Sequence, residues 1–494
     1  MLGRRMTLRL YDTARRELHD FVPREASLVR MYNCGPTVYS SPHIGNFRSF
    51  LTADLLRRHL EARGLRVVQI MNITDVGHLT EDDVDDSGED RMLIAARREK
   101  LDPYAIARKY ESEFLAAVDA LHMRRADQYP RATEHIQEMI EIIEGLIASG
   151  HAYAVGGNVY FEIASFPRFG ALSGKVLEEL EEGARIAVNK EKRDPRDFAL
   201  WKTDDKHLMQ WDAPWGRGFP GWHIECSAMS RKYLGDQFDV HTGGEDNLFP
   251  HHECEVAQSE AFTHKQPFVG TWLHTRHLLV DDKKMAKSLG NFLTIAQLLG
   301  EGWSGHEIRL ALLRVHYRMP MNFSKVGLAE ARAFLARIHE CRARLLRIAN
   351  GQEAAGHDEL RAVLAGVEAE FGAALDDDLN IAKALAVLSG LVNDVNAKHP
   401  SAAAARDALA LFRKLEDWCG CVGDEPTVAA EEDGVLWAGA SDDPRRTTLL
   451  QKSVDREAAR KAKDFALADR LRDEILAEGF KIVDTPRGPR LEPA

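Results

Sequence analysis

Apolar positions in this chain first recur in the order strand, helix, strand. Leu28 to Met31 is mostly apolar, Phe50, Leu51, Leu55, Leu56 and Leu60 return at helical spacing up to Gly64, and Val67 to Met71 is apolar again. That pattern predicts a βαβ unit opening a parallel, Rossmann-like sheet. A second half follows: a strand near Phe238 to His241, a helix opening at Pro250, a strand around Phe268 to Leu273 and a helix after Asn291. Between the halves, a helix and short alternating segments such as Asn158 to Ile163, broken by Gly and Pro, read as an insertion.

Beyond Phe323 the period becomes helical. Leu328, Phe334, Leu335, Ile338, Cys341 and Leu345 mark one amphipathic helix, ending at Asn350-Gly351. Leu360, Val363, Leu364, Val367 and Phe371 mark a second, Asn380 caps a third running to about His399, and Ala403 to Trp418 forms a fourth. Val422 to Asp442 reads as an acidic linker. After it, Phe465, Ala468, Leu471 and Ile475 line one helix face, Gly479 stops that helix, and Phe480 to Leu491 predicts a hairpin. The expected fold is α/β: a split parallel-sheet domain (1–119 and 221–322) interrupted by an insertion (120–220), an all-α bundle (323–421) and a small C-terminal α+β piece (443–494).

Composition narrows the function classes. At 494 residues the chain exceeds one hydrophobic core. No run reaches the ~18 apolar residues of a membrane helix, and the charged start lacks a signal-peptide core, so a cytoplasmic location without membrane contact is expected. Six cysteines are too sparse for a disulfide scaffold and remain available as metal ligands. The net charge of -12 excludes indiscriminate polyanion binding, although from Asp443 onward Lys and Arg slightly exceed Asp and Glu.

Two short motifs suit a nucleotide. Pro42-His43-Ile44-Gly45-Asn46 follows the first strand at a helix start, where free N–H groups and the dipole favour phosphate and where Gly45 permits close approach. Lys284-Met285-Ala286-Lys287-Ser288 is a basic loop suited to closing over a triphosphate. Each alone is equally an ordinary helix cap or a solvated turn. A third constellation suits zinc. Cys34 ends the first strand, Cys226 lies in GWHIECSAMS, and His251 and Glu255 are four residues apart on one helical face. Spacing leaves Cys254 and Glu255 equally open as the fourth ligand.

Taken in order along the chain, the two nucleotide motifs resemble the HIGH and KMSKS signatures of class I aminoacyl-tRNA synthetases. Asn46 stands where the second histidine of HIGH would be, and Ala286 where the first serine of KMSKS would be. The blocks MYNCGPTVY, GWHIECSAMS and GGEDNLFPHHECEVAQS resemble those of the cysteinyl-tRNA synthetases. This resemblance spans nearly the whole chain and implies a ligase that activates cysteine with ATP and Mg²⁺, transfers it to tRNA(Cys), and works as a monomer. It implies that Cys34, Cys226, His251 and Glu255 hold one zinc ion near His241. In the same way it implies that Thr74 and Trp222 meet cysteine, that Asp246 lies near the ATP ribose, and that His43, Gly45, Asn46, Lys284, Lys287 and Ser288 serve the nucleotide. The bundle and the C-terminal piece are then expected to bind tRNA, with Arg456, Arg460, Lys461 and Lys463 facing phosphates or solvent. ITDVGHLTEDDVDDSGEDRM is longer than the matching loop of many relatives and reads as a solvated surface loop. Two alternatives have their own signatures: a cysteine ligase acting on an amino-sugar would discharge its adenylate to a sugar amine, and a non-catalytic zinc protein that binds RNA would show no cysteine-dependent ATP–pyrophosphate exchange.

Overall fold

The first apolar pattern folds as read. In the computed structural model, which describes residues 8–81, 87–175, 191–285, 291–424, 430–432, 435–437, 443–485 and 488–493, β1 (Leu28–Asn33) and β2 (Arg66–Met71) pair in parallel across α1 (Ile44–Ala62). Gly64 just past α1 has φ +83, the left-handed conformation that ends a helix cheaply. α2 (Trp222–Leu234) leads into β3 (Phe238–Gly244), which pairs in parallel with β1; α3 (Glu253–Thr263) leads into β4 (Val269–Thr275), which pairs in parallel with β3. The sheet order is β4-β3-β1-β2. Consecutive β3 residues from Phe238 to Gly243 are all buried, as expected of a parallel strand covered on both faces. Chain order reverses between β1 and β3, so the loops after these strands diverge and leave a crevice at their C-terminal ends.

The insertion builds a four-stranded antiparallel sheet from Ala152–Val155, Asn158–Phe161, Phe198–Lys202 and Phe219–Pro220. One apolar core joins it to the parallel sheet, running from Phe161, Phe198 and Trp201 to Tyr32, Cys34, Cys226 and Trp272. In the acidic segment after Thr74, read as a solvated loop, residues 82–86 lie outside the described residues, and the stretches on either side are ordered. Leu79–Glu81 and Ser87–Asp90 form an antiparallel pair leading into a helix over Arg91–Glu99, and both His78 and Asp90 are buried.

The chain divides into two compact units: Met1–Leu335 with Ala365–Gly390 and Arg413–Val422, and Ala336–Leu364 with Leu391–Phe412 and Gly423–Ala494. Four long helices, Lys325–Ala349, Glu359–Asp376, Ile381–Lys398 and Ala402–Cys419, contribute residues to both. In the second unit, Ala430–Glu432 and Val435–Trp437 pair with each other and extend the hairpin of Phe480–Thr485 and Gly488–Pro493 into a four-stranded sheet. The stretch read as an acidic linker therefore contains two strands. Its Trp437 is buried, with its ring centroid 4.9 Å from that of Phe480.

Two details of the C-terminal piece also differ from expectation. Arg456 is buried and donates to Asp484 at 3.0 Å, so it ties helix to hairpin instead of facing solvent. Phe465, at the first position of its helix, is 63% exposed, while Ala468, Leu471 and Ile475 are buried. Phe465→Glu is accordingly expected to shift stability by no more than about 0.5 kcal/mol in urea denaturation, as for a surface position outside any core. Among the described residues, no helix is long and apolar enough to cross a membrane.

Candidate active site and metal centre

Loops leaving the C-terminal ends of all four parallel strands line one cavity of about 860 Å³. Cys34 to Asn46 follow β1, Asn72 and Thr74 follow β2, Gly244 ends β3 with Glu245 to Asn247 after it, and Thr275 ends β4 with Arg276 to Leu279 after it. The wall after β1 is held against that after β2 by backbone bonds: Thr74 N–H to the Pro36 carbonyl at 3.0 Å, and Val38 N–H to the Thr74 carbonyl at 3.1 Å. Gly35 is required there, because a Cβ would collide with the Asn72 carbonyl oxygen.

One end of the cavity is a donor cluster. Ligand atoms of Cys34, Cys226, His251 and Glu255 lie within 4.8 Å of one another, and all four residues are buried. Cys34 comes from the end of β1, Cys226 from α2, and His251 from a wide turn over Leu248–His252 that precedes α3. His251 Nε2 is 3.2 Å from Glu255 Oε1, as the four-residue spacing requires. Cys254 is buried but belongs to none of the clusters among the described residues.

A second donor set overlaps the first. Cys34, His241, His252 and Glu255 also lie within 4.8 Å of one another. His252 Nε2 is 3.1 Å from Cys34 Sγ, and His241 Nε2 is 3.0 Å from Glu255 Oε2. His252 did not emerge from the sequence, although its spacing to Glu255 and its place beside His251 were visible. Behind these, His223 Nδ1 meets His251 Nδ1 at 2.9 Å, and His252 Nδ1 meets His274 Nε2 at 2.8 Å.

The electrostatics suit a cation. Burial alone would raise the Glu255 carboxyl, but His241 and His251 hold it at about 2. Burial would lower His251, yet Cys226 and Glu255 raise it to about 10. Burial pushes the Cys34 thiol well up, helped by its bond to Cys226. Burial also acts on Cys226, but the hydrogen bond from Cys34 overrides it and keeps that thiol below its ordinary value. Burial and the neighbouring imidazoles push His252 far down, and burial takes His274 to about 3. Without a metal the cluster thus sets the Glu255 carboxylate and the lowered Cys226 thiol against a His251 imidazolium whose proton a metal ion would displace; sulfur, imidazole and carboxylate donors together are the ligand chemistry of zinc.

Toward the other end lie the nucleotide candidates. His43 is the N-cap of α1 and forms a reciprocal capping box with Asn46: Asn46 N–H donates to His43 Nδ1 at 3.3 Å, and His43 N–H donates to Asn46 Oδ1 at 3.1 Å. Using Nδ1 as acceptor places the ring proton on Nε2. The cap is therefore both structural and a source of oriented donors, where the sequence had offered these as competing readings. Gly45, Asn46, Lys284, Met285 and Asp246 line the same cavity, and Asp246 sits in a short turn directly after β3. Ile44 N–H donates to the Leu293 carbonyl at 3.0 Å, joining the start of α1 to the segment beyond the basic loop. Lys287 and Ser288 lie outside the described residues.

Trp222 opens α2 with its ring centroid 4.5 Å from that of His251, and Thr74 faces the same end of the cavity. Two further residues emerge only from the fold. Glu225 and His78, both buried, hydrogen-bond each other behind Thr74.

Residues 20–333 match the family described as tRNA synthetases class I (C) catalytic domain, and residues 370–421 match the DALR domain. The chain is 43% identical to a cysteine–tRNA ligase of Thermus thermophilus, covering 98% of this chain and 99% of the relative. The chain belongs to the cysteine–tRNA ligase family. As a member of that family it is a ligase of the class I aminoacyl-tRNA synthetase type, with cysteine, ATP and tRNA as its partners. A second cysteine–tRNA ligase, from Deinococcus radiodurans, is 42% identical over 97% of this chain and 96% of its own length. Among solved structures, the Mycobacterium tuberculosis methionyl-tRNA synthetase in complex with methionyl-adenylate shares the fold, with a TM-score of 0.55 at 16% identity over 79% of this chain and 89% of its own. A LeuRS of Agrobacterium radiobacter has a TM-score of 0.57 at 12% identity over 82% of this chain and 85% of its own.

Proposed function

We propose that this ligase selects cysteine through a zinc ion held by Cys34, Cys226, His251 and Glu255, forms cysteinyl-adenylate in the adjoining cleft, and transfers the cysteinyl group to tRNA(Cys). The observation that carries the reading is that three of these four buried donors, Cys34, Cys226 and His251, line the same cavity as His43, Asn46, Asp246 and Lys284. When bound, zinc supplies a soft Lewis acid for the substrate thiolate, a partner that the harder and less acidic hydroxyl of serine cannot match. Selection of that kind is needed on energetic grounds. Rejecting serine by ~10⁴-fold takes about 5.5 kcal/mol, whereas ordinary pocket contacts give about 1–3 for a small side-chain difference.

In this reading Thr74 and Trp222 orient the amino acid, and Asp246 receives the ribose. His43, Gly45 and Asn46 receive the phosphates at the positive end of α1. Lys284 and the loop residues Lys287 and Ser288 take up charge on the leaving pyrophosphate, with Mg²⁺ as counter-ion. The substrate carboxylate attacks the α-phosphorus in line and pyrophosphate leaves. A hydroxyl of the terminal ribose of tRNA then attacks the carbonyl carbon and AMP leaves. Residues 1–119 and 221–322 form the catalytic domain around the insertion 120–220, while 323–421 and 443–494 meet tRNA. The unit of function is a monomer, since one chain contributes every donor and every cleft residue named.

ATP–pyrophosphate exchange tests this directly. Exchange is expected with cysteine and at least about 10³-fold less with serine, and added tRNA should discharge the adenylate. Exchange that ignores the amino acid supplied would refute the reading.

A further inference from the structure

Arg48 lies on α1 two residues beyond Asn46 and is buried. Its terminal nitrogens make four hydrogen bonds, each to a backbone carbonyl. Nη1 donates to the Arg276 carbonyl at 2.6 Å and the His277 carbonyl at 2.9 Å, while Nη2 donates to the His316 carbonyl at 3.2 Å and the Met319 carbonyl at 2.7 Å. Each of these nitrogens carries two N–H groups, so both are fully used, and together they join two separate segments of chain. Burial lowers this guanidinium to about 10, and the charge of Glu245 acts in the opposite direction. A buried cation held by carbonyl dipoles is costly, and a fork-shaped donor that spans two segments is what no smaller or apolar side chain supplies.

Glu245 holds one of those segments from the cleft side. Its carboxylate accepts from the Arg276 guanidinium through Oε1, and through Oε2 from the His277 N–H at 3.1 Å and His277 Nδ1 at 3.0 Å. The carboxylate thus takes donors of Arg276 and His277, and the Arg48 guanidinium takes their carbonyls. Glu245, Arg276 and His277 all line the cleft. The chain runs on directly into the strand Leu278–Val280, which pairs with Lys283–Lys284 and with Met321–Phe323, so Arg276 and His277 form the root from which the basic loop departs. The Glu245 side chain is 31% exposed, and an ion pair open to solvent in this way adds little stability. Its effect is on position.

We propose that Arg48 and Glu245 are positioning residues that together fix the Arg276–His277 segment, and through it the root of the basic loop, against the phosphate-facing start of α1. This rests on the nucleotide reading of the cleft and deepens it. α1 then serves twice: its start presents His43 and Asn46, and Arg48 sets where Lys284 stands relative to them. Misplacing a reacting group by about 1 Å, even from a site remote from the chemistry, costs on the order of 10²-fold in rate.

Cysteine-dependent ATP–pyrophosphate exchange in the full-length, metal-loaded enzyme separates this role from general support of the fold. Arg48→Lys keeps the charge but carries all its N–H groups on one nitrogen. Its kcat is expected to fall about 10²-fold, while metal content and the KM for cysteine stay within about twofold. Glu245→Gln is expected to lower kcat about 10-fold with an unchanged urea midpoint, and it decides alone if the Arg48 variant does not fold. Because both residues act on one segment, the double variant should fall no further than Arg48→Lys, instead of by the product of the two losses. Losses that multiply, full kcat in Glu245→Gln, or a KM for cysteine that rises as far as kcat falls would overturn the assignment. Absence of cysteine-dependent exchange in the unaltered enzyme would instead overturn the reading of the cleft, and the inference with it.

Discussion

Cys34→Ser is expected to strip the chain of bound metal and to lower kcat/KM for cysteine in exchange by about 10³-fold or more, a loss of about 4 kcal/mol. The argument begins with its place at the end of β1, where the strand delivers one side chain to the donor cluster and the next residues to the cavity wall. A serine hydroxyl there is a hard, weakly acidic ligand, and replacing the sulfur leaves His251 and Glu255 facing each other with one soft donor fewer. Cys254→Ser is the internal control. Its side chain is equally buried but outside the cluster, so metal content should not change. The overlapping donor sets are separated by two more variants, with metal content read by plasma emission spectroscopy. Loss of metal in Cys226→Ser with retention in His252→Asn supports the set containing Cys226 and His251, and the reverse outcome assigns the ion to His241 and His252. Unchanged metal in Cys34→Ser would remove Cys34 from both.

How far the sequence could be read depended on whether the relevant contact was local. The parallel sheet was legible because short, mostly apolar runs such as Val67–Met71 lie between helix and turn signals. The donor cluster was legible in part because cysteine is scarce and because His251 and Glu255 share a helical face. His252 escaped because adjacent residues on a regular helix point about 100° apart, so the pair His251 and His252 read as one ligand and one neighbour, whereas the wide turn over Leu248–His252 brings both histidines to the donor clusters. Glu225 escaped for a different reason. An acidic residue in a helix reads as surface, and the partner that explains its burial, Thr74, is distant in sequence. In the C-terminal piece, strands of three residues are too short for alternation to register, so Ala430–Glu432 and Val435–Trp437 looked like linker. Phe465 satisfied the helical period, but at the first position of its helix it overhangs the packed face.

The second large effect concerns stability and lies away from the cleft. Asp54 in α1 accepts from Arg58 Nε at 2.8 Å and Arg309 Nη2 at 2.5 Å through Oδ2, and from the Arg124 N–H at 2.8 Å through Oδ1. Side-chain exposure is 2% for Asp54 and 0% for Arg309. Arg309 also donates to the carbonyls of Leu121 and Cys419, so this one carboxylate anchors α1 to the end of the helix Ala402–Cys419. Asp54→Asn keeps the shape but removes the charge, and it leaves buried guanidinium groups that cannot deprotonate. Breaking a buried pair in this way costs about 3–5 kcal/mol, which is expected as a lower urea midpoint for the unit that contains α1. The pH dependence has a definite sign. Burial opposes ionisation of Asp54, but Arg309 and Arg58 outweigh it and hold the carboxyl below its ordinary value. Its contribution is therefore full above the unfolded carboxyl range, near pH 4, and is lost as pH falls through the lower folded value. The gap between the parent and Asp54→Asn should be constant from about pH 5 to 8 and narrow below pH 4. A gap that widens on acidification would mean that the arginines are balanced by some other group.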